Sequence, residues 1–152
     1  MPMPYTYRKA SAGWRAILDD VKDGTGLQSD NNAYTAIEGV LRVFRHRLTV
    51  AQGLEFANVL PAVPRAIFVS HWDPSAAPLP WLDRAALLAE VKALRHHHNL
   101  APHNAIEAVA RAIWRIVRHD SLQAALAKLP PAAQDYWTVP DADPADLAAR
   151  FV

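Results

Sequence analysis

The stretch Ser29-Asp30-Asn31-Asn32-Ala33-Tyr34-Thr35-Ala36-Ile37-Glu38-Gly39-Val40-Leu41-Arg42-Val43-Phe44-Arg45-His46 decides the fold. Ala33, Ile37, Val40, Leu41 and Phe44, with Leu48 beyond, recur at the spacing that lines one face of an α-helix. The polar cluster Ser29-Asp30-Asn31-Asn32 supplies its N-cap oxygens. The pattern returns 73 positions on, where Asn31 falls on Asn104, Arg42 on Arg115 and Arg45-His46 on Arg118-His119. The same shift carries Trp14 onto Leu87, Leu18 onto Val91, Val21 onto Leu94 and Leu27 onto Leu100. After a four-residue deletion, Leu60-Pro61 meets Leu129-Pro130 and Ile67-Phe68 meets Tyr136-Trp137. One register across two helices and a loop reads as an internal duplication.

Working outward, the expected fold is all-α: a compact helical bundle of two homologous three- or four-helix units. The units span about 7–72 and 81–138, and together they make a single duplicated domain, 7–138. Residues 139–152 form a C-terminal tail with a short helix starting at Asp143-Pro144 and running to Phe151. Each unit is too small to bury its own apolar stripe, so the two should pack face to face, related by a pseudo-two-fold. A solenoid-like stack of two is the other arrangement. The connector is residues 73–80, where three prolines in eight residues exclude a helix.

The other helices follow from caps and breakers. Tyr7, Ala10, Trp14, Ile17, Leu18 and Val21 mark a first helix, stopped by Gly24 and Gly26. Thr49-Val50-Ala51-Gln52 fits a capping box, opening a third helix to Leu60 that buries Val50, Leu54, Ala57 and Val59 or Leu60. A short helix across Val63–His71 follows, with a strand through Ala66-Ile67-Phe68-Val69 as the alternative. Asp83 caps a fifth helix carrying Leu87, Leu88, Val91 and Leu94 and ending near Asn99. Pro102 opens a sixth, which buries Ile106, Val109, Ile113, Ile116 and Val117. Ser121 caps a seventh through Leu122, Leu126 and Leu129, and Ala132–Trp137 adds a turn or two.

Composition narrows the class. The 152 residues are 51% hydrophobic and 20% charged, with no cysteine, which excludes a disordered chain, a disulfide framework and a thiolate site. Sixteen basic and fifteen acidic side chains give +1, so bulk charge points to no polyanionic partner. No apolar run approaches the ~20 residues of a membrane span, and residues 1–10 have no signal-peptide core. A cytoplasmic protein without membrane attachment is the expectation.

The order Leu48-Thr49, Leu60-Pro61, Ile67-Phe68 and Trp72-Asp73-Pro74, then Leu129-Pro130 and Tyr136-Trp137, resembles the bacterial family catalogued as domain of unknown function 2267. The resemblance covers roughly residues 7–138, and Trp72-Asp73-Pro74 is its most telling part. It departs from the pattern at His71, where the family leads to glycine, and in a third helix that opens with few acidic residues. The resemblance implies an all-helical bacterial protein. It brings no catalytic residues.

Few constellations carry chemistry. His96-His97-His98 with His103 is the densest histidine cluster, but consecutive residues on a helix project about 100° apart and cannot converge on one ion. His98 and His103 are the metal-ligand candidates, and a plain helix-end role is the simpler reading. No bound metal and no cofactor are expected. His71-Trp72-Asp73 could form an acid–base pair beside an aromatic platform, or Trp72 could simply plug the first unit while Asp73-Pro74 turns the chain. Ser11, Ser29, Ser70, Ser75 and Ser121 sit in no nucleophile elbow, and five glycines make no phosphate cradle. No catalytic residue is assigned.

Arg111, Arg115 and Arg118 fall within about 60° on the outside of the sixth helix, and Arg42, Arg45 and His46 within about 100° on the outside of the second. Glu38 and Glu107 precede Arg42 and Arg111 by four, which describes a solvated face more simply than a nucleic-acid surface. Phe44, Phe56, Phe68, Trp14 and Trp137 read as core. Trp114 lies off its helix's stripe, and Trp72 and Trp81 bracket the connector. The interaction-surface candidates are therefore Arg111, Arg115, Arg118, Trp114 and Trp72. The functional expectation is a non-enzymatic helical scaffold or protein-interaction module whose partner is a protein, a second copy in a homodimer included. The alternatives are a His-based metal-binding protein or enzyme (His71, His96–His98, His103) and a weak nucleic-acid binder.

Overall fold

Ser29 supplies the cap on which the central helix starts: its hydroxyl accepts from the Asn32 amide at 3.0 Å. A computed structural model describes residues 1–94, 101–140 and 142–150. Its helices are α1 (Tyr5–Arg8), α2 (Ala10–Thr25), α3 (Asp30–Arg45), α4 (Val50–Ala57), α5 (Ala62–Val69), α6 (Arg84–Ala93), α7 (Ala105–Trp114), α8 (His119–Ala127) and α9 (Pro131–Trp137). A 3₁₀ turn follows at Pro144–Leu147. Among the described residues there is no strand, so Ala66–Val69 is helix.

Caps fix most of these ends. Thr49 and Gln52 form the capping box (3.1 and 2.9 Å), and Asp83 accepts from Ala86 at 2.8 Å. Each such cap contributes roughly 1 kcal/mol. Gly26, at φ +79°, ends α2 in the left-handed conformation that glycine adopts without penalty.

α2 packs on α7, α3 packs on α6, and α2 and α3 also meet. The seam holds Ile17, Val21, Ile37, Val40, Leu41, Val91, Val109 and Ile113, all fully buried. α2 and α7 approach closely at Gly24, where a Cβ would lie 3.3 Å from that of Ala108, and Asn104 donates to the Gly24 carbonyl at 2.8 Å. Below the seam an aromatic cluster joins early and late segments. Phe44 stacks on Tyr136 (centroids 5.4 Å apart) and takes Trp137 edge-on (5.4 Å), and Phe56 bridges Phe44 to Phe68. The buried Tyr136 hydroxyl donates to the Val40 carbonyl at 2.6 Å, and burial pushes its pKa well above the ordinary phenol value.

Several expectations are corrected. α4 ends at Ala57 and buries Gly53, Phe56 and Ala57, while Val50 (37% exposed) and Leu54 (54%) face outward. Phe56 has by far the larger surface to bury, and it sets the rotation of the helix. α7 begins three residues after Pro102 and stops at Trp114, so Ile116 and Val117 pack from the turn beyond it. α8 starts at His119 and takes in Ser121, whose amide donates to the Asp120 carboxylate. Among the described residues the C-terminal helix is the four-residue 3₁₀ turn capped by Asp143, and its expected end at Phe151 lies outside them. Tyr7 lies outside the core, 51% exposed on α1. The fifth helix is described to Ala93, and its expected end near Asn99, with His96, His97 and His98, lies outside the described residues.

Candidate functional site

The corner at His71-Trp72-Asp73 is built by the end of α5. Two buried donors from Arg45 close that end, with Nη1 reaching the carbonyls of Phe68 (2.8 Å) and Ser70 (2.7 Å). The chain then turns through His71 at φ +56°, the left-handed region that favours glycine. The outer edge of the Trp72 indole lies against Gly53, where a Cβ would come within 1.9 Å of the ring. Its ring meets Phe68 edge-on at 5.8 Å, and the Arg45 guanidinium sits 5.5 Å from its centroid, a cation–π distance.

Asp73 spends one carboxylate oxygen on the amide (2.9 Å) and hydroxyl (2.6 Å) of Ser75. Those bonds hold its carboxyl below the usual carboxylate range. His71 and Asp73 make no hydrogen bond to each other, so the structure assembles a turn here and no acid–base pair. The connector folds back over the corner, with the Leu79 amide donating to the His46 carbonyl (2.8 Å) and Arg47 Nε to the Pro80 carbonyl (3.2 Å). Together these segments enclose an open cavity of about 270 Å³, lined by Arg45, His46, Leu48, His71, Trp72 and Leu79 and floored by the small connector residues. Burial, then the Arg45 and Arg47 charges, lower the pKa of His46 below its ordinary value.

The arginines form no stripe. Arg45 is 4% exposed, so it lies inside the molecule and not on the outside of α3, because the carbonyls at the end of α5 need its donors. Arg42 approaches the buried Glu38 at 3.9 Å, whereas Glu107 and Arg111 form no ion pair. Arg115 follows the end of α7 and pairs with Asp20 of α2 at 3.0 Å, and Arg150 reaches the same carboxylate at 2.6 Å. Arg118 stands at the start of α8, 71% exposed, paired with Asp120 at 3.1 Å. Trp114 is half-buried, donating its indole N–H to the Trp137 carbonyl (2.7 Å) and meeting His119 edge-on.

His103 is exposed before α7, and His98 lies outside the described residues. Among the described residues no group of three or more His, Asp or Glu side chains could hold a metal ion. A second cleft, about 250 Å³, runs between α1, the α4–α5 turn and the α7–α8 turn, past Lys9, Gly13, Leu60 and Val117. A shallower groove between α4 and α8 holds Val59 and Ala124, rimmed by Glu55 and Lys128. Sequence reasoning missed Arg45, Arg47 and Gly53 as the residues that build the first cavity. Only Gly53, a glycine inside a helix, carried a signal.

The family profile described as Uncharacterized conserved protein (DUF2267) matches residues 14–136, and the chain belongs to that family. No curated protein matches the chain. Among the described residues no helix is long and apolar enough to cross a membrane.

Proposed function

We propose that the chain is a single duplicated helical domain, residues 7–138, that works as a non-enzymatic scaffold or protein-interaction module. The duplication is supported by reciprocity: α2 lies on α7 as α3 lies on α6, and α4 meets α8. It is supported also by order, since α2 to α5 and α6 to α9 are each a run of four helices. A pseudo-two-fold through the α2–α3 and α6–α7 seam generates those contacts. An experimental structure in which residues 14–46 superpose on 87–119 would bear this out, and any other register would end it.

The observation that carries the interaction role is the outward rotation of α4. Val50 and Leu54 stand one turn apart and exposed on α4, the helix whose Glu55 lines the groove shared with α8. An apolar strip with a charged rim is the usual anatomy of a protein contact. Side chains that could react are instead spent on the fold: Asp73 on Ser75, His119 on Trp114, Arg115 on Asp20. The test is sedimentation of the full chain over a range of concentrations, together with affinity capture of partners, for wild type and Leu54→Glu. Self-association or capture that Leu54→Glu abolishes and Arg118→Gln leaves intact supports this surface. Association indifferent to both Leu54→Glu and Val50→Glu removes it.

A further inference from the structure

We propose that the cavity at the His71-Trp72-Asp73 corner is a binding site for a small organic oxyanion, a carboxylate or phosphate monoester with an apolar body. The argument starts from Arg45. Its side chain is buried, yet among the described residues no carboxylate forms an ion pair with it. Burial pushes its pKa below the ordinary value, the signature of a charge that the fold has desolvated. Nη1 is committed to the two carbonyls of α5, and Nε is buried without a partner. What remains is the Nε–Nη2 edge, on which two N–H bonds run parallel at the spacing of a carboxylate or phosphate. A buried guanidinium held only by Trp72 and by the Glu38 charge at a distance is costly, and an anion on that edge would offset the cost.

The walls suit such a ligand. His46 and His71 line the cavity beside Arg45 and can each donate a ring N–H. The carboxylate on the wall, Asp73, is turned onto Ser75. Trp72, Leu48 and Leu79 supply the apolar surface, with Ala76 and Ala77 leaving the space open. The strained backbone at His71 places an imidazole at this cavity where glycine would be easier, and such strain concentrates at ligand sites.

The probes are benzoate, phenyl phosphate and inorganic phosphate, titrated into the full chain in a buffer free of other oxyanions. The readout is the NMR signals of the His46 and His71 rings, with those of His103 and His119 as internal references. Saturable shifts confined to His46 and His71 are expected from benzoate or phenyl phosphate below ~10 mM. Inorganic phosphate, lacking the ring, is expected to bind about tenfold more weakly. Arg45→Lys keeps the charge but loses the paired edge, and should weaken binding about tenfold or more. Ala77 is an exposed connector residue, so Ala77→Phe fills the cavity from outside and should abolish binding should Arg45→Lys not fold. No saturable shift with either organic anion, inorganic phosphate binding as well as phenyl phosphate, or affinity unchanged in Ala77→Phe would each overturn the assignment.

Discussion

Arg47 and Glu90 meet fork to fork, Nη1 to Oε2 at 2.6 Å and Nη2 to Oε1 at 2.5 Å, tying the end of α3 to the middle of α6. Only 1% of the Arg47 side chain is exposed, against 34% for Glu90, so removing the carboxylate leaves a buried cation uncompensated. Glu90→Gln should cost about 1–3 kcal/mol at neutral pH, less than a fully buried pair because water reaches Glu90. The Arg47 hydrogen bonds hold the Glu90 carboxyl below its ordinary range. A depressed folded pKa gives stability that is present above the unfolded value, about 4.3, and is lost as pH falls through the folded value. Urea denaturation of wild type and Glu90→Gln should therefore show a constant gap above about pH 5 that narrows in acid. A gap independent of pH would show that the pair contributes through packing alone.

Gly53 is the contact surface of Trp72. Gly53→Ala would normally help a helix by up to about 1 kcal/mol. Here the Cβ collides with an indole held between Phe68 and Arg45, and the net effect should be a loss of about 1–3 kcal/mol. Thermal melts of Gly53→Ala with and without Trp72→Leu test this. The alanine should become neutral or stabilising once the indole is gone.

The left-handed backbone at His71 separates two substitutions at one exposed position. His71→Gly relieves strain but loosens the unfolded chain, so stability should move by no more than about 0.5 kcal/mol. His71→Val puts a β-branched residue at positive φ and should cost about 1–2 kcal/mol. Equal effects from the two, measured by chemical denaturation, would show that the turn relaxes.

Arg115 and Arg118 look alike along the chain and differ in place. Arg115 joins α7's end to Asp20 with its side chain 20% exposed, whereas Arg118 and Asp120 are both 71% exposed. Arg115→Gln should cost about 1 kcal/mol and Arg118→Gln a few tenths at most. The Arg115 loss should vanish in an Asp20→Asn background, the outcome a double-mutant cycle reads directly.

The helices were legible wherever a cap and a period coincided. Ser29 and Thr49 made the bonds their positions demand, and the stripe from Ala33 to Leu48 is buried throughout. α4 was misread because eight residues contain two nearly equivalent apolar faces, and the choice between them is made by Phe56 and by an indole from another segment. The end of α7 was misread because a wheel drawn through Arg118 assumes a helix that has already turned at Arg115. Arg45 was placed outside because helical spacing counts directions along one helix. It cannot see that the carbonyls of α5, more than twenty residues later, lack donors. Both features of the cavity that matter most, the buried arginine and the indole on glycine, are long-range contacts with no local pattern.

The order in which the helices touch also sets when the chain can fold. α2 has to wait for α7, which begins at Ala105, before Ile17 and Val21 are fully sheltered. On a ribosome delivering about 5–20 residues per second, α2 and α3 thus spend several seconds exposed with their apolar flank uncovered. Contacts between such distant segments also raise the contact order above that of a bundle built from neighbouring hairpins, which slows collapse to the native state. The nascent N-terminal half is accordingly the stage at which this protein is most exposed to chaperones, proteases and aggregation.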